Sequence, residues 1–235
     1  MFYPYGYGGG SHFFLLIIIP MLVGLWAQFR VSNAFRKWGA VRASANITGA
    51  EAAREILQAA NIHDVEVVET NDYLGDHYDP MRKRLCLSNN VYQTPSVAAL
   101  GIAAHETGHA IQHAKAYAPL MARMTVVPVT QIASQTLPFI MFGGIFLHLV
   151  PWMLAINLGI ICYLVITLFQ LITLPVEFDA SRRAKIILQQ MGIVQPGREV
   201  AGVNRVLNAA ALTYVAALIA AIGNLLWLLS MRDRR

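Results

Sequence analysis

From Met124 to Val176 the chain runs for 53 residues without a single Asp, Glu, Lys or Arg. A helix needs about 20 apolar residues to cross a bilayer, so this run is long enough to cross and return, and His148 with Pro151 offers a turn near its centre. Two shorter charge-free runs repeat the signal, Phe13 to Phe29 and Val206 to Met231. Only 13% of all residues are charged and 56% are hydrophobic, whereas a soluble domain has about a quarter of its residues charged. The fold class that follows is an α-helical membrane protein with four transmembrane helices. Its expected order is a short tail at 1–12, spans at 13–29, 124–147, 152–175 and 207–230, and polar segments at 30–123 and 176–205.

The charges give an orientation. The stretch before the first span, "MFYPYGYGGGSH", has no Lys or Arg, and Arg30, Arg36, Lys37 and Arg42 follow the span. That order does not fit a cleaved signal peptide. It places the N-terminus outside and residue 30 onward in the cytoplasm. Four crossings then put 30–123 and 177–205 on one side, and these hold 15 of the 18 Lys and Arg residues. The basic tail "MRDRR" falls on the other side, against the same rule. The net charge of +5 is accounted for by the flanks of the spans and calls for no nucleic-acid partner. Cys86 and Cys162 fall in different compartments, which argues against a disulfide.

Within the polar segments, Ser44–Ile62 carries apolar residues at helical spacing, with Ser44 or Thr48 as cap. "DVEVVET" and "RLCLS" alternate as strands do, and Asp79-Pro80 marks a turn before the second. Thr94 and Pro95 read as the cap and first residue of a helix that continues through "SVAALGIAAHETGHAIQHAKAY". "LPVEFDASRRAKIILQQMG" reads as another helix, with Pro175 near its start and Gly192 at its end.

The motif helix carries the chemistry. His105 and His109 lie four residues apart and share one helix face. Glu106 is offset from His105 by about 100°, within reach of a water held by a metal. This is the H-E-x-x-H pattern of zinc proteases. Catalytic zinc needs a third protein ligand and an open position. His113 lies roughly 12 Å along the axis from His105, too far to share one ion at ~2 Å bonds, and is expected at the surface or behind the ligands. Glu177 is the first charge after the 53-residue run, and a chain that goes out and back returns it to the side of His109. Asp179, two residues on, is the alternative.

The strings "HETGHAIQ", "HYDP", "SVAALGIAAHE", "LPVEFDASRRA" and "LNAAALTYVAA" resemble the YugP-type bacterial membrane zinc metallopeptidases over nearly the whole chain. More distantly the chain resembles the integral-membrane peptidases of the HtpX and CAAX-processing type. The resemblance implies a small α+β gluzincin-like zinc-peptidase core and residence in the bacterial inner membrane with the site facing the cytoplasm. The distant relatives have E-x-x-A-D after the membrane hairpin. Here Glu177 and Ala180 match but Ser181 replaces the final Asp, which leaves open the group that orients a ligand histidine; Asp179 is the candidate.

The expected activity is peptide hydrolysis with Zn2+ on His105, His109 and Glu177 and with Glu106 as general base. The oxyanion needs a further donor, for which Tyr214, His77 and Tyr78 are candidates. The expected partners are the lipid bilayer and a protein or peptide substrate bound as an added strand, with "RLCLS" as the sheet edge that receives it. A catalytically idle zinc scaffold is the competing reading, and an intact Glu106 counts against it. A channel is disfavoured because the spans hold almost no ionisable groups.

Overall fold

A computed structural model of the chain describes residues 13–71, 75–147 and 149–233. The expected tail at 1–12, the turn residue His148 and the last two arginines of "MRDRR" lie outside the described residues. The chain divides into two units, one of Met1–Ala27, Ala122–Leu174 and Thr213–Arg235, the other of Gln28–Met121 and Pro175–Leu212.

The first unit is helical. Helix α1 (Ile19–Gly39) follows a wide π-type turn at Phe14–Ile18; the long helices α5 (Ala118–Met141), α6 (Trp152–Gln190) and α7 (Arg198–Arg232) supply the rest. Among the described residues, four helices are long and apolar enough to cross a membrane: Phe14–Gly39, Ala118–Gly144, Trp152–Gln190 and Arg198–Arg232. Their outward faces carry large apolar side chains such as Phe139 (78% exposed) and Ile132 (67% exposed). Water would not tolerate so much apolar surface, and lipid would. At Gly223 an added Cβ would lie 2.2 Å from the Leu16 carbonyl oxygen, so only glycine admits that backbone.

Each of these helices runs past the boundary expected from charge alone. Pro175 does not begin a helix; it sits inside α6. Proline removes one N–H from the ladder, yet the uncapped apolar run continues into the polar stretch as one rod of 39 residues, roughly 58 Å long at 1.5 Å per residue. Its charge-free part, 152–176, accounts for about 37 Å of this, enough for a hydrocarbon core of about 30 Å. Glu177 therefore stands one residue past the apolar stretch on a continuous helix. Gly192, with φ +68°, ends the turn after α6 as expected.

The second unit is α+β. Helix α2 (Gly49–Ala59) has Thr48 as its cap: the Thr48 hydroxyl accepts from Glu51 N, and Glu51 accepts from Thr48 N. That is a capping box. Ser44, the other candidate, instead donates to Glu199 through both N and Oγ. Strands β1 (Glu66–Thr70), β2 (His77–Asp79) and β3 (Arg84–Ser88) form one sheet in the order β1-β3-β2. β3 is parallel to β1 and antiparallel to β2. "RLCLS" is thus the central strand and not the edge, because β1 and β2 already occupy both of its hydrogen-bonding sides.

A short turn, α3 (Asn89–Tyr92), leads to the motif helix α4 (Val97–Ala114). Its cap is Ser96, whose hydroxyl accepts from Ala99 N, and not Thr94. The preceding chain is pulled into extended pairing instead: Pro95 O accepts from Ala43 N, and Val97 N donates to Val41 O. The core of this unit gathers Ile56, Leu85, Leu87, Leu100, Leu188 and Leu207, all almost fully buried.

Candidate metal centre

Helix α4 supplies two of the predicted site residues and α6 the third. His105 Nε2 lies 3.2 Å from Glu177 Oε2, and His109 Nε2 lies 3.6 Å from the same oxygen. One donor atom from each residue falls within 4.8 Å of the others, so the three could hold one metal ion. The Glu177 side chain is 2% exposed. The two imidazole rings stand edge to face, 4.8 Å apart, as expected for side chains one turn apart on one face.

This convergence depends on how closely the two helices approach. A Cβ at Gly108 would lie 2.9 Å from the Ala180 carbonyl oxygen and 3.2 Å from Ala180 Cα. The central Gly of "HETGH" thus lets α4 rest on the backbone of α6 between the ligands. The motif spacing alone carries no sign of that demand.

The hydrogen bonds behind the ligands determine what the site can bind. Gln112 Nε2 donates to Val176 O at 2.8 Å and to Asp179 Oδ2 at 3.0 Å. A backbone carbonyl and a carboxylate are both acceptors, so the amide nitrogen must point there. Gln112 Oε1 is then the atom 3.0 Å from His109 Nδ1, and His109 must donate from Nδ1. That leaves Nε2 of the neutral ring with a lone pair aimed at a carboxylate oxygen. Two acceptors face each other, and they can share that space only across a cation. In the bare site a proton serves: burial works against charge on His109, but the contact with Glu177, the charges of Glu106 and Glu177 and the bond to Gln112 together outweigh it and raise the pKa. A soft-to-borderline metal ion fits the same place, since His₂Glu is a zinc donor set. His105 Nδ1 meets the Ser181 hydroxyl at 3.1 Å. Ser181 therefore serves His105, and Asp179, the candidate for orienting a histidine, reaches His109 only through Gln112.

Glu106 is half-buried on the same helix. Burial raises its pKa, while the neighbouring His105 and His109 act in the opposite direction. His113 does not join the donor group; its Nδ1 lies 2.9 Å from the Tyr78 hydroxyl. Tyr78 thus faces α4, and burial, with Asp64 and Asp79 nearby, pushes its pKa up to about 12. His77 precedes it in the strand and points to the opposite face, into a cavity of about 290 Å³ lined also by Thr70, Arg82, Arg84 and Cys86. Of these two oxyanion candidates only Tyr78 is on the side of the motif helix. Tyr214 lies on α7, in the apolar unit. Among the described residues, neither Cys86 nor Cys162 takes part in a disulfide. Sequence reasoning missed Asp76, whose carboxylate accepts from Ser88 N and Oγ.

Residues 13–233 match the family described as "Putative neutral zinc metallopeptidase". The chain is 44% identical over 214 residues to the "Putative membrane protease YugP" of Bacillus subtilis (strain 168), an alignment covering 91% of this chain and 93% of that protein. No solved structure matches.

Proposed function

Since the chain belongs to the neutral zinc metallopeptidase family, we propose that it is a membrane-embedded zinc endopeptidase in which His105, His109 and Glu177 hold the metal and Glu106 is the general base. One observation carries this reading. The tautomer of His109, pinned by Gln112, directs a lone pair at the buried Glu177 carboxylate, and that pair needs a cation between its members.

Zinc, when bound, acidifies water and polarises a carbonyl. The chain's own residues do the rest. His105 and His109 present their Nε2 atoms from one helix face, and Glu177 closes the site from α6. Glu106, next in sequence to the first ligand, takes a proton from the attacking water and returns it to the leaving amine. A helix, a small sheet, the motif helix and a glutamate-bearing helix, with a His₂Glu donor set, support a gluzincin reading of this core.

The substrate is a protein or peptide. Among the described residues β2 has a free hydrogen-bonding edge and packs beside α4, so an extended peptide adds there and not to β3. The membrane is the bacterial inner membrane, with the site facing the cytoplasm. Single cysteines at positions 54 and 198, in a chain lacking Cys86 and Cys162, should be labelled in intact cells only by membrane-permeant reagents. Labelling of the two from opposite sides would break this topology.

Glu106→Gln tests the catalytic assignment. The amide keeps the volume and removes the base, so zinc content should stay within error of the wild type while peptide hydrolysis falls by ~10²–10⁴-fold. Unchanged hydrolysis in this variant would reject Glu106 as the base, and a wild type that holds zinc but cleaves no peptide would favour the idle zinc scaffold.

A further inference from the structure

Gln112 stands one turn beyond His109, and its side chain is completely buried. No step of hydrolysis uses it, yet it makes three polar contacts. It accepts from His109 Nδ1 and donates to Val176 O and Asp179 Oδ2. Asp179 in turn pairs with Arg182, and with Arg183 Nε at 2.5 Å. Arg183 lies over the Tyr117 ring, 5.8 Å from its centroid. A buried amide with every donor and acceptor satisfied is a rigid connector. Val176 is adjacent in sequence to Glu177, so the connector joins the second ligand to the backbone that carries the third.

We propose that Gln112 is a positioning residue for the metal: it holds His109 in the tautomer and rotation that present Nε2, and it ties α4 to the segment bearing Glu177. This rests on the zinc reading above. Many ligand histidines donate directly to a carboxylate. Here the carboxylate of Asp179 acts at one remove, polarising the amide that receives the His109 proton. His105, which meets only the Ser181 hydroxyl at Nδ1, lacks such a link, so the two histidine ligands are supported unequally.

Two substitutions separate this role from mere packing. Gln112→Met keeps the length and removes all three contacts. Gln112→Glu keeps an acceptor for His109 Nδ1 and removes both donors. Zinc affinity is measured by chelator competition on the purified full chain, and the His109 Nδ1–H resonance is followed in zinc-loaded, ¹⁵N-histidine-labelled protein. The expected result is a ~10–100-fold loss of zinc affinity in Gln112→Met, with loss of the downfield, hydrogen-bonded Nδ1–H signal. Gln112→Glu should keep that signal and bind zinc more tightly than Gln112→Met but less tightly than the wild type, because it restores the bond to His109 and neither of the bonds donated to Val176 O and Asp179. Equal affinity in wild type and Gln112→Met would overturn the proposal while leaving the zinc site standing. So would a Gln112→Glu no better than Gln112→Met, or an unchanged Nδ1–H signal in Gln112→Met. A wild type that binds no zinc would remove the zinc reading itself, and this proposal with it.

Discussion

A single half-buried carboxyl shows how local environment and pH connect in the α+β unit. Asp76 sits just before β2, and burial raises its pKa despite the two bonds it accepts from Ser88. A carboxyl raised in the folded state holds its proton at pH values where the unfolded chain, near 3.9, has already released it. Its stabilising contribution is therefore full below that ordinary value and is lost as pH rises through the folded one. Asn in its place keeps an oxygen for Ser88 and has no charge to bury. Asp76→Asn should gain stability over the wild type as pH rises from about 4 toward neutrality, read as the difference between their melting temperatures in one detergent. A difference constant with pH would contradict it. Residues of this kind show where sequence reading stops. The convergence of His105 and His109 was legible because spacing on a helix is a local property. Gln112, Ser181 and Asp76 were not, because their importance comes from partners far along the chain that no spacing reveals.

Among the elements, the contact between α4 and α6 decides whether a site exists at all. Gly108 allows it. Alanine there would favour the helix by up to ~1 kcal/mol, so any net loss must come from the collision with the Ala180 backbone. Gly108→Ala is expected to lower stability by ~1–3 kcal/mol and to weaken zinc binding, because the ligands sit on the two helices being pushed apart. Thermal unfolding with and without zinc measures both effects. A more stable variant with full zinc would refute the close packing. The helices themselves were readable from apolar runs and caps such as Thr48. Their ends were less so: Ser96 replaced Thr94 as a cap because the 41–43 segment pairs with the chain at 95–97, and α6 passed through Pro175 where a break was expected. The place of β3 at the sheet centre was equally hidden, since alternation identifies a strand but not its neighbours.

Across the whole molecule, the chain leaves the α+β unit after the motif helix, passes through 53 charge-free residues and comes back with Glu177. That return was legible from charge alone, and it is what brings a carboxylate beside the two histidines from 68 residues beyond His109 in sequence. The central claim is that this remote carboxylate and the local histidines share one zinc ion. Metal analysis of purified wild type beside Glu177→Ala tests it most directly. The wild type should carry about one zinc per chain, the ratio of a single His₂Glu site, and Glu177→Ala should lose nearly all of it while remaining folded. A Glu177→Ala protein that keeps its full zinc would contradict the account and pass the role of third ligand to Asp179.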